Sequence, residues 1–92
     1  MPGSRYVRRN RLSRGEQQML KQIGLKIHRE LYRRGGTTES LSLEVNVARS
    51  TIREVIAGRS NVRILTLKAI VQGLGFSSVR QFLSDIEPDG GL

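Results

Sequence analysis

Residues 41–61 read LSLEVNVARSTIREVIAGRSN. Apolar residues recur at helical spacing on both sides of Val45-Asn46-Val47, yet the two series are out of phase. Neither Gly nor Pro separates them. One helix must stop and another start within roughly three residues. Asn46 is the expected stop, because Asn tolerates the left-handed conformation better than other residues with a side chain. A helix over about 48–57 follows. Ile52, Val55 and Ile56 share its inner face, while Arg49, Ser50, Arg53 and Glu54 lie on the other side.

Working outward, Ser13 and Glu16 have the spacing of a capping box. Behind them Leu20, Ile23, Gly24, Ile27 and Leu31 fall on one stripe, which predicts a first helix over about 14–34 ended by Gly35-Gly36. Thr37 or Thr38 caps the second helix, which turns Leu41 and Val45 inward. Gly58 ends the third. The fourth, about 64–74, is expected to bury Ile64, Leu67, Ile70, Val71 and Leu74 and to stop at Gly75. Ser77 or Ser78 caps a short last helix carrying Val79, Phe82, Leu83 and Ile86. No strand alternation appears, so the fold class is all-α with five helices. Residues 1–12 read as a flexible basic arm, 13–86 as the domain and 87–92 as a disordered polar tail.

Composition narrows the function classes. The 92 residues suffice for one small domain with a modest core. Without Cys there is no disulfide, thiolate metal site or cysteine nucleophile. His28 is the only histidine and reads as a surface residue with no co-ligand. No phosphate-binding glycine loop, catalytic pair or metal spacing is present, so neither enzymatic activity nor a cofactor is expected. No apolar run nears the roughly 18 residues that span a bilayer, and a cytoplasmic protein without membrane contact is expected. The net charge is +8 and lies entirely in residues 1–34, where ten Lys or Arg face only Glu16 and Glu30. Arg5, Arg8, Arg9 and Arg11 of the arm supply half of it. Such asymmetry suits a polyanionic partner. Glu39 and Glu44 read as a solvated face.

Two short helices joined by a tight turn present the outer face of the second one away from the core. That is the helix-turn-helix device, and a DNA major groove is wide enough to admit such a helix. Arg49 and Arg53, four apart, can each donate paired hydrogen bonds to guanine. Ser50 can donate or accept. Glu54 can accept from cytosine or pair with a neighbouring Arg.

With those residues in place, residues 23–83, about two thirds of the chain, resemble the lambda-repressor/Cro (XRE-like) family of helix-turn-helix DNA-binding domains. The family pattern lies on LSLEVNVARSTIREVIAGRSNVRILTLKAIVQGLGF without a gap. Leu41 and Val45 match its second-helix core positions, Asn46 its turn, RSTI at 49–52 the opening of its recognition helix, and TLKAIVQGLG its next helix. The resemblance implies base contacts from Arg49, Ser50 and Arg53, with Glu54 further along. Backbone contacts are expected from Thr38, Thr51, Arg59 and Arg63. The chain departs from the pattern at several positions. Thr38 replaces the usual Gln, Ser42 the usual Ala at the helix crossing, Val62 a Pro, and Gly36 an apolar residue. Ala48 replaces the usual capping Ser, a loss of roughly 0.5–2 kcal/mol unless Ser50 substitutes.

The expected function is that of a sequence-specific, DNA-binding transcriptional regulator of bacterial or phage type. It would act as a homodimer on an inverted-repeat operator of double-stranded DNA. Phe76, Val79, Phe82 and Ile86 are the expected dimer surface, being more apolar than a short terminal helix needs. Alternatives are an antitoxin, which would also bind a toxin, and a restriction–modification controller. A contact with RNA polymerase fits the regulator. A protein-interaction or RNA-binding module remains, although no aromatic platform of the usual RNA-binding kind is seen.

Overall fold

In a computed structural model of the protein, residues 12–59 and 61–86 are described. The basic arm with Arg5, Arg8, Arg9 and Arg11, and the tail at 87–92, lie outside them. Five α-helices follow in order: α1 Arg14–Arg33, α2 Thr38–Val45, α3 Arg49–Ala57, α4 Ile64–Gly73 and α5 Val79–Leu83. Among the described residues no strand occurs.

The helix ends obey local chemistry. Ser13 Oγ accepts from Glu16 N at 3.1 Å, and Ser13 N donates back to Glu16 Oε1 at 2.8 Å. At α2 the same reciprocal pair forms between Thr37 and Ser40, with Ser standing in for the longer acidic partner. Ser78 caps α5. Each such cap contributes about 1 kcal/mol. Three helices end alike: Gly35, Gly58 and Gly75 have positive φ, and the residue after each donates back to the carbonyl five positions earlier. The end of α2 departs from this. Asn46 sits at φ 58°, ψ 44°, and both Asn46 N and Val47 N donate to Ser42 O. Ser42 Oγ in turn donates to Val47 O at 2.6 Å, closing the turn from inside α2.

The core joins all five elements: Ile23, Ile27 and Leu31 from α1, Leu41 from α2, Ile52 and Val55 from α3, Leu67, Ile70 and Val71 from α4 with Leu74 just beyond it, and Phe82 from α5. Two glycines let backbones close. A Cβ on Gly24 would strike the carbonyl of Ile56 and stand 2.6 Å from that of Val55, so α1 and α3 touch there directly. A Cβ on Gly73 would strike Val45, so α4 seats against the end of α2.

Two sequence expectations need correction. Phe82, expected on a dimer surface, is 0% exposed and sits in the core. The apolar excess of α5 is used in closing the domain. Ile64, expected to be buried, is 63% exposed, at the first position of α4 on the side of an open groove. Leu20 is only half-buried, although it continues the α1 stripe. Leu20 and Ile64 both line an open apolar groove with Met19, Val62 and Leu83.

Lys26 carries no local sequence signal of its surroundings. It is 6% exposed, within the apolar side of α1. Its Nζ donates to the Phe82 carbonyl and to Asp85 Oδ1, the latter at 2.7 Å, and lies 4.6 Å from the Phe82 ring centre and 5.1 Å from that of Phe76. The two rings meet edge to face at 5.1 Å. Burial of an ammonium is tolerable only with such partners. The hydrogen bond from Lys26 holds the Asp85 carboxyl below its ordinary value; desolvation opposes this, and the charges of Lys26 and Arg29 add to the lowering.

Candidate nucleic-acid interface

The α2–α3 connection positions the candidate residues. Asn46 ends α2 in the left-handed conformation, Val47 packs against the core, and α3 starts at Arg49. Ile52 and Val55 anchor α3 from beneath, so the opposite face is the one that stands free. Arg49, Ser50, Arg53 and Glu54 are all exposed on it, as is Thr51. The start of α3 has no side-chain cap, so Ser50 does not replace the oxygen missing at Ala48. The first amides of α3 are left to other acceptors.

The charged groups on this face are unevenly engaged. Arg49 Nη1 lies 3.7 Å from Glu39 Oε2 on α2, a loose pair between two exposed side chains. Arg53 makes no ion pair among the described residues. Glu54 takes Arg59 in a fork, Oε1 to Nε at 3.5 Å and Oε2 to Nη2 at 3.0 Å. Of the two readings open to Glu54, pairing with a neighbouring Arg is the one seen.

The expected backbone contacts fall in two places. Arg59 and Arg63 flank the exit of α3, and Arg63 lines an open groove with Thr51, Glu54, Asn61 and Thr66. Thr38 is the half-buried first residue of α2. A second groove, on the α1 side, is lined by Leu12, Gln17, Lys21, Gly58 and Arg59. Lys21 was not singled out from the sequence. Its only sequence signal is a cation beside the apolar stripe, and its neighbour Arg59 is brought to it by the fold. On the expected dimer surface, Phe76, Val79 and Ile86 remain half-buried and Phe82 is enclosed.

Among the described residues no cluster of three or more His, Asp or Glu could hold a metal, and no helix is long and apolar enough to cross a membrane. No protein-family model, curated protein or solved structure matches the chain.

Proposed function

We propose that this chain is a sequence-specific DNA-binding regulator of the lambda-repressor/Cro type, with α3 as its major-groove reading helix. One observation carries the reading. A left-handed Asn46 turn sets α3 so that Arg49, Ser50 and Arg53 project together from the domain. An α-helix with two outward arginines one turn apart suits the major groove, where Arg pairs with guanine O6 and N7. Arg53 reads bases directly, since it has no competing ion pair among the described residues. Arg49 first leaves Glu39, a small cost for an exposed pair.

Around that centre, Thr51 and Arg63 contact the sugar–phosphate backbone on one flank. The +8 charge draws the domain to DNA, and the arm adds phosphate contacts. A single domain reads few base pairs, so two copies bind an inverted repeat with half-site centres roughly 10 base pairs apart. Phe76, Val79 and Ile86 are the accessible part of the surface that joins them.

Selection of bound sites from random duplex DNA at physiological salt tests the function. An enriched inverted repeat, bound with an affinity that falls steeply as salt rises, is expected. Failure to enrich any sequence would reject specific readout.

A further inference from the structure

The groove between α1 and the end of α3 owes its shape to Gly58. There the chain turns at φ 68° and runs against α1, so close that a Cβ would stand 2.9 Å from Lys21 Cα. A side chain at 58 would push α1 away and part Lys21 from Arg59. As built, both cations are exposed and line one open groove with Gln17.

The two cations are prepared differently. Arg59 is gripped by Glu54 through Nε and Nη2, at 3.5 and 3.0 Å. A carboxylate fork fixes the plane of the guanidinium and leaves the Nη1 protons free to donate. Lys21 makes no ion pair among the described residues and supplies a mobile point charge. A planar donor and an ammonium around one open site suit a tetrahedral anion with several acceptor oxygens. Leu12, the last residue of the basic arm, lines the same groove.

We infer that Lys21 and Arg59 together hold one backbone phosphate of the duplex read by α3, with Glu54 as the positioning residue that presents Arg59. The inference rests on the DNA-binding reading and extends its footprint from α3 to α1.

The test compares the full chain with Lys21→Ala, Arg59→Ala and the double variant, on the selected site and on random duplex, across a range of salt. Each single variant is expected to weaken both duplexes by the same factor and to reduce the salt slope by up to about 0.9, the share of one phosphate. The double variant should lose no more than that, because the phosphate is shared. Melting temperature should not move, since both side chains are exposed. Losses that add to about 1.8 would mean two separate phosphates and overturn the shared site. A steep parent slope left unchanged by every variant would overturn the groove alone. A parent that binds no duplex would overturn the groove and the DNA reading together.

Glu54 is tested by the sign of a coupling. If it positions Arg59, then Arg59→Ala weakens binding by a smaller factor in a Glu54→Ala background than in the parent. If Glu54 only neutralises Arg59, removing the now unopposed cation weakens binding by a larger factor, and the positioning role is overturned.

Discussion

Ser42 and Val47 are tied to each other twice across the turn: Ser42 Oγ donates to the Val47 carbonyl at 2.6 Å, and Val47 N donates to the Ser42 carbonyl at 3.4 Å. The hydroxyl therefore does more than fit a close crossing. It fixes the chain at the first apolar residue after the turn, which sets where α3 begins.

For Ser42→Ala two effects oppose each other. The lost hydrogen bond costs about 0.5–1.5 kcal/mol, while Ala gains up to about 0.7 kcal/mol in helix propensity. We expect a net destabilisation below about 1 kcal/mol in urea unfolding. Affinity for the selected site should fall more than affinity for random duplex, because α3 is less firmly aimed.

Asn46 is the only described residue other than Gly with positive φ. Asn46→Ala should therefore destabilise the domain, because Ala lacks the short polar side chain by which Asn tolerates the left-handed region. Asn46→Gly should be as stable as the parent or slightly more so. Thermal melting that ranks Ala at or above Asn would contradict the assigned turn.

Core closure by α5 gives a third expectation. Phe82→Ala should lower stability by roughly 3–5 kcal/mol. Phe82→Glu should unfold the domain rather than release folded monomers, which circular dichroism and sedimentation distinguish. Gly24→Ala should also destabilise strongly, because its methyl would meet backbone carbonyls of α3 that cannot step aside.

On the outer face of α3, proposed to read bases, Arg49→Ala and Arg53→Ala should each weaken the best site by about 1–3 kcal/mol and relax preference at one base position. Their melting temperatures should barely change. Equal weakening on selected and random DNA would reassign the residue to phosphate contact.

The Asp85–Lys26 pair predicts a pH dependence. The Asp85 carboxyl is lowered in the folded chain from an ordinary 3.8. The unfolded chain therefore takes up the proton first as pH falls. Stability from the pair is fully present above about pH 4 and is lost as pH drops through the lowered folded value. Asp85→Asn should remove that part of the acid-side loss, and urea unfolding at several pH values below 5 would reveal it.

Helix positions and caps were legible because they depend on short-range chemistry. Ser13 with Glu16, Asn46, and the glycines at 35, 58 and 75 each state their role within a few residues. Burial at helix ends was less legible. Ile64 continues the α4 stripe, but periodicity says nothing about whether a neighbour reaches its first turn. Phe82 was misplaced for the converse reason, since a short apolar helix looks the same whether it faces its own core or another copy. Lys26 could not be foreseen, because its partners lie far along the chain. On the outer face of α3, the exposure of Arg49 and Arg53 follows from the turn, whereas the choice of Glu54 for Arg59 depends on side-chain geometry beyond the helix end.

The enclosure of Lys26 also orders events in time. Its partners lie 56 and 59 positions later, at Phe82 and Asp85. On a chain made from its N-terminus, α1 emerges with this ammonium in water and nothing to receive it. Closing so long a loop costs entropy before any contact repays it. The apolar side of α1 thus carries a solvated charge during synthesis.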